Sequence, residues 1–131
     1  MQCVAKPSLP EILLVDDDDR IRALLVLSLQ EAGFTVVEAS RAEAALELLR
    51  RGIPALILLD LGMPPGAMSG VELLAQLHEH SPWAGIPVVI LSGFGELVNL
   101  DAAARLHVRA ILQKPVSAAD LVGAVRQALE S

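Results

Sequence analysis

The sequence predicts an α/β fold, a (βα)5 doubly wound five-stranded parallel sheet. Three observations carry that prediction. Short apolar runs of strand length alternate with longer segments of helical period along nearly the whole chain. The runs "ILLV", "ALILL" and "PVVIL" are apolar at consecutive positions, which suits strands covered by helices on both faces. Hydrophobic residues make up 53% of the sequence but aromatic ones only 2%, so the core must be built from Leu, Val, Ile and Ala.

The elements follow in order. Residues 1–10 carry two prolines and no periodicity and read as an irregular N-terminal tail; residues 11–131 read as one domain. "EILLV" (11–15) is the first strand. "RIRALLVLSLQEAG" (20–33) is a helix with Ile21, Leu24, Leu25 and Ser28 at helical spacing, stopped by Gly33. The β-branched "FTVVEA" (34–39) is the second strand. Ser40, with Glu43 three residues on, is expected to form a capping box opening a helix over 41–52 that turns Ala42, Ala45, Leu46 and Leu49 inward. "ALILL" (55–59) is the third strand, and 61–70 a Gly/Pro loop. A helix over 71–80 stops before Pro82. "PVVIL" (87–91) is the fourth strand, 96–107 a less sharply patterned helix, and "AILQ" (110–113) the fifth strand. Ser117 caps a last helix over 117–130, with Asp120 in its first turn and Leu121, Val122, Val125 and Leu129 inward.

Composition excludes several functions. A net charge of -6 with scattered basic residues argues against a nucleic-acid partner. No apolar run is long enough to span a membrane, and the first ten residues lack the apolar stretch of a signal peptide. A single cysteine, Cys3, allows neither an internal disulfide nor a cysteine zinc cluster, and a cytoplasmic setting is expected. His78 and His80, two apart on a helix, do not share a face and are not read as a metal pair.

In an open parallel sheet the site lies beyond the carboxyl ends of the strands. There the chain places Asp16 and Asp17 after the first strand, Asp60 after the third, Ser92 after the fourth, and Lys114-Pro115 after the fifth. Taken alone, the run Asp16 to Asp19 reads equally well as a solvated turn with a helix cap, and Asp18 and Asp19 keep that reading. Carboxylates from different strands, however, sit together only with a cation between them. A hard divalent ion such as Mg2+ prefers carboxylate and carbonyl oxygens. Mg2+, an ammonium and a hydroxyl together suit a phosphoryl group, with Asp60 as the nucleophile that becomes an aspartyl phosphate.

Four stretches, "ILLVDDDD", "PALILLDLGMP…SG", "PVVILSGFGE" and "AILQKPV", resemble the motifs of receiver domains of bacterial two-component response regulators, in that family's order and across residues 11 to 130. The resemblance implies a flavodoxin-like strand order 2-1-3-4-5. It implies that Asp60 is the phosphoacceptor, and that Mg2+ is held by Asp17 directly, by Asp16 through water, by Asp60 and by the backbone carbonyl of Gly62. It further implies that Ser92 and Lys114 contact the phosphoryl group and that the Lys114–Pro115 bond is cis. The implied donor is a sensor histidine kinase or a histidine phosphotransfer protein, and an effector domain or a homodimer partner would read the state. Such a chain is a signalling domain, not an enzyme in the usual sense, since it catalyses only its own phosphorylation and dephosphorylation.

Three positions depart from the pattern. The loop after Asp60 is about two residues longer, around Pro64-Pro65-Gly66. Ile111 stands where the family usually has an aromatic residue that turns inward on activation. Phe94 and Gly62 occupy variable positions that tune phosphoryl lifetime. The alternative function is a degenerate receiver that binds partners without phosphorylation. Phosphatases of the haloacid-dehalogenase type need a second aspartate two residues after the nucleophile, where this chain has Gly62. A flavin-phosphate binder would be repelled by four aspartates after the first strand, and "LSGFG" is not a nucleophile elbow.

Overall fold

The structure, a computed structural model, describes residues 11–62, 68–80, 82–93 and 108–130. The N-terminal tail with Cys3, the Pro64-Pro65-Gly66 bulge, Phe94, the helix expected over 96–107 and His107 lie outside them. The described elements are β1 (Glu11–Val15), α1 (Asp19–Glu31), β2 (Thr35–Ala39), α2 (Ala42–Arg51), β3 (Leu56–Asp60), α3 (Gly70–Glu79), β4 (Val88–Ser92), β5 (Val108–Gln113) and α4 (Ala118–Glu130). A short 3-10 turn, Trp83–Gly85, precedes β4. All strand pairs are parallel and the order is β2-β1-β3-β4-β5, so the three continuously apolar strands occupy the middle of the sheet.

Period-two alternation splits the core into two layers. Leu13, Val15, Ile57, Leu59, Val88 and Ile90 pack under α2 and α3. Ile12, Leu14, Leu56, Leu58, Val89 and Leu91 pack under α1 and α4. In β5, Ala110 and Leu112 also face the second layer. This parity matters beyond the core, because continuing it past the strand ends sends Asp16, Asp60 and Lys114 toward the same side.

Two local expectations are corrected. The α2 helix is capped by Arg41 without a side-chain cap bond, not by Ser40. Because Ala42 is the first helical residue, Glu43 falls at the second helical position and the Ser40–Glu43 spacing no longer matches a capping box. A capping box does occur at α3, where Ser69 and Glu72 satisfy each other's backbone amides. On α1 the buried stripe runs through Leu25 and Leu29, while Leu24, placed with Leu25 at helical spacing, is 65% exposed. Ser117 caps α4 as expected, accepting from the Asp120 amide at 3.1 Å. None of the described helices is long and apolar enough to cross a membrane.

Candidate functional site

The carboxyl edge of the sheet carries the polar exceptions to an apolar core. Asp16, Asp60 and Ser92 are the buried polar residues among those described. Backbone ladders fix each of them. The Asp16 amide donates to Ala39 O at 3.1 Å, extending β1 beside β2 by one residue. The Leu61 amide donates to Leu91 O at 2.9 Å and the Lys114 amide to Ser92 O at 2.8 Å. The strand ends that bear Asp60, Ser92 and Lys114 are thus locked side by side.

The side chains then meet as parity requires. Lys114 Nζ lies 3.1 Å from Asp60 Oδ2 and 3.3 Å from Asp16 Oδ2. Oxygens of Asp16, Asp17 and Asp60 all lie within 4.8 Å of one another, and this is the one acidic or His/Cys cluster tight enough for a metal among the described residues. Asp17 is the exposed member, leaving an open side to the cluster. The Gly62 amide donates to Asp60 Oδ1 at 2.8 Å, and the Asp18 amide to Asp16 Oδ1 at 2.9 Å. Ser92 Oγ is buried with no hydrogen-bond partner. The Lys114–Pro115 peptide is cis.

Electrostatics show one ammonium serving too many carboxylates. Burial pushes the Asp16 carboxyl up to about 6 from its ordinary 3.8; the Asp18 amide bond opposes this, the Asp60 charge adds to it, and the Lys114 ammonium opposes it. Burial alone would lower the Lys114 pKa, but the hydrogen bond to Asp60 and the charges of Asp60 and Asp16 outweigh it and hold that pKa above the usual lysine value. A dication fits this deficit, and the hard oxygen donors suit one that keeps part of its water shell.

The acidic run divides after Asp17. Asp18 is the N-cap of α1, accepting from the Arg20 and Ile21 amides at 3.0 Å, and Asp19 opens the helix. Ile111 pairs with Ile90 across the ladder and, at 38% exposed, lies on the outward side of a strand that alternates in burial. His80 ends α3 with Nδ1 2.8 Å from Gln76 O, and Trp83 packs against the core, so neither joins the site.

Two features escaped the sequence reading. Gly70, the first residue of α3, is closely approached by backbone: a Cβ there would stand 3.0 Å from Asp60 O and 3.2 Å from Leu61 Cα, tighter than ordinary contact. Arg22 binds the backbone of the acidic run, its Nη1 donating to Asp16 O at 2.7 Å. The signal for Arg22 was a cation near the positive end of a helix, against the dipole. Beside the carboxylates lies an apolar cavity of about 300 Å3, lined by Ile21, Leu24, Leu25, Leu91, Pro115 and Val116 and reaching Lys114.

Comparison with known proteins adds to this geometry. The family model described as the response regulator receiver domain matches residues 12–126. The chain is 35% identical over 117 residues to a 14.6 kDa protein of Leptolyngbya boryana, covering 89% of this chain and 88% of that one. It is 36% identical over 119 residues to the transcriptional regulatory protein SrrA of Staphylococcus aureus, covering 91% of this chain but 47% of SrrA, so it spans about half that relative's length. Among solved structures, a CheY-like receiver domain protein of Methanospirillum hungatei matches with a TM-score of 0.84 at 30% identity, covering 94% of this chain and 95% of that one. A response regulator of Chloroflexus aurantiacus, so named only provisionally, matches with a TM-score of 0.85 at 27% identity, covering 94% and 99%.

Proposed function

The chain belongs to the response regulator receiver domain family of two-component signalling, and from that premise we propose that it takes a phosphoryl group onto Asp60 in a Mg2+-dependent reaction. The observation that carries the proposal is the charge imbalance at the strand ends: three carboxylates within 4.8 Å, facing one lysine ammonium.

The residues fit Mg2+. Asp17, Asp60 and the Gly62 carbonyl would hold it, with Asp16 acting through water. When bound, it neutralises the charge gathering on the phosphoryl oxygens. The protein's own groups do the rest. The Gly62 amide and the Lys114 ammonium each hold one Asp60 oxygen, fixing the plane of the nucleophile. An Asp60 carboxylate oxygen forms the new bond to phosphorus as the P–N bond of a phosphohistidine breaks, and the imidazole, protonated on its other ring nitrogen, leaves with the P–N electron pair as neutral imidazole. Lys114 then follows the charge onto the transferred group, and Ser92 Oγ, which has no protein partner, donates to a phosphoryl oxygen.

The donor in this reading is a sensor histidine kinase or a histidine phosphotransfer protein. The apolar cavity beside Lys114 offers that donor a landing surface next to the nucleophile. The phosphorylated state would be read by an effector domain or a second copy of the chain, in the cytoplasm. The activity is confined to the chain's own phosphorylation and dephosphorylation.

The test is incubation with Mg2+ and a small acyl phosphate, followed by intact mass. One added phosphoryl group, absent in Asp60→Asn, is the expected result. No mass gain, together with failure to bind beryllofluoride, would refute the reading in favour of a receiver that works without phosphorylation.

A further inference from the structure

Arg22 lies outside the acidic cluster yet holds its backbone. Its guanidinium makes three hydrogen bonds to three different elements: Nη1 to Asp16 O at the end of β1 (2.7 Å), Nη2 to Asp19 Oδ1 in α1 (2.7 Å) and Nε to Glu38 Oε1 in β2 (3.0 Å). The side chain is 15% exposed, against 85% and 48% for its two acidic partners. An ordinary surface ion pair would need neither this burial nor the carbonyl contact.

The carbonyl is the informative partner. Asp16 O belongs to the peptide unit joining Asp16 to Asp17, so fixing it fixes the rotation on either side of that peptide. The Asp16 end has other restraints, its amide on Ala39 O and its Oδ1 on the Asp18 amide. The Asp17 end is held more loosely: the Asp18 amide anchors the following peptide on Asp16 Oδ1, while among the described residues the exposed Asp17 carboxylate has no hydrogen-bond or ion-pair partner. The peptide plane that Arg22 grips therefore sets the point from which the Asp17 side chain departs toward the cluster.

We infer that Arg22 is a positioning residue for the cation site, orienting the Asp16–Asp17 peptide so that both carboxylates stay within reach of Asp60. The inference rests on the reading that Asp16 and Asp17 hold Mg2+. It also predicts a sign that charge alone would reverse. A guanidinium near a dication repels it, so deleting the charge would tighten Mg2+ binding if Coulomb's law were the whole story. Here Asp19 and Glu38 bracket the guanidinium at 2.7 and 3.0 Å and largely cancel its field. What remains is geometry, and its loss weakens binding.

Calorimetric titration of the full chain with Mg2+ tests this. Arg22→Gln is expected to weaken binding about tenfold, the usual scale for groups that orient metal ligands. Arg22→Lys, which keeps the charge but loses the planar fork, weakens it by a similar factor. Glu38→Gln, which frees one arm, weakens it by a smaller factor. Tighter binding in Arg22→Gln, or unchanged binding in Arg22→Lys, overturns the positioning role. Should Arg22→Gln not fold, Arg22→Lys and Glu38→Gln decide, and wild-type affinity in both overturns it. Wild-type protein that binds no Mg2+ would overturn the proposed function itself, an outcome separate from a wild type that binds beside variants that bind equally well.

Discussion

Acidification acts on the carboxylate cluster with two opposite signs. The native Asp16 carboxyl titrates at about 6, while in the unfolded chain it returns toward 3.8. Between those values the native state binds a proton that the unfolded state does not, so metal-free stability falls as pH rises through that window. Going from pH 7 to pH 5 therefore stabilises the metal-free protein, by about 1 kcal/mol, because the native state binds on average about half a proton more than the unfolded state across the interval. Mg2+ binding moves the other way. Protonating Asp16 removes a negative charge from the cluster that would hold the cation, and a group titrating near 6 is about nine-tenths protonated at pH 5 and about one-tenth at pH 7, so apparent affinity drops about tenfold. Urea denaturation in chelator at the two pH values gives the first arm, and calorimetric Mg2+ titration the second. Asp16→Asn is the control: it removes the stabilisation on acidification. Metal-free stability that falls between pH 7 and pH 5, or a rise that persists unchanged in Asp16→Asn, would refute the assignment of the buried proton to this site.

Three more predictions concern the surroundings of the site. Gly70→Ala sets a methyl against the backbone of Asp60 and Leu61, which cannot swing aside as a side chain would; it costs about 1–3 kcal/mol in denaturant unfolding and slows acyl-phosphate labelling of Asp60. Leu24→Gln leaves stability within about 0.5 kcal/mol, because the side chain is exposed, but slows transfer from a phosphohistidine protein about tenfold, the equivalent of losing about 1.4 kcal/mol of docking contact. The acyl-phosphate rate is unchanged in that variant, and equal slowing of both donors would count against the docking surface. Beryllofluoride is expected to shift amide resonances around Ser92 more than those of the β5 face, because Ile111 carries neither ring nor hydroxyl to follow the serine; large shifts across Ile111 and α4 would contradict this.

The fold was legible because its strongest signal is local. β1, β3 and β4 are apolar at every buried position but the last of β3 and β4, Asp60 and Ser92, and a strand apolar on both faces belongs inside a parallel sheet. The candidate site was legible for a related reason: its polar side chains lie at or within two residues of the carboxyl ends of the strands, and strand ends are fixed by the ladder. Less was legible where the outcome depended on one residue of helix phase. Ser40 and Glu43 have the spacing of a capping box, yet α2 starts at Ala42 because its apolar stripe must face Leu13 and Ile57. Leu24 is as apolar as Leu25, and only the angle between them on α1 decides which is covered. The contacts of Arg22 escaped for a third reason, although its charge against the helix dipole was a signal. Its partners are a carbonyl six residues back and a carboxylate sixteen residues on, and no periodicity reports a bond of that kind.

The four consecutive aspartates do two jobs separated by one hydrogen bond. The Asp18 amide donates back to Asp16 Oδ1 while the Asp18 carboxylate turns forward to cap α1. The chain reverses its use of negative charge at that residue. Asp18 and Asp19 sit where the helix dipole favours them and help the fold. Asp16 does the opposite: it is fully buried, its carboxyl is raised to about 6, and its relief is the Asp18 amide bond and one shared ammonium. Ser92 Oγ adds a second local cost, a buried hydroxyl with no partner. Both costs lie within the same edge of a sheet whose interior is otherwise uniformly apolar. In the proposed reading, these two exceptions at one edge are an unmet demand for a cation and an anion at one place. Metal and phosphoryl group together would meet both demands, so the phosphorylated, metal-bound state should be more stable than the free one. Thermal unfolding with Mg2+ and beryllofluoride checks this: the midpoint should rise further with both than with Mg2+ alone, and no additional rise would leave the buried Ser92 hydroxyl without the role assigned to it.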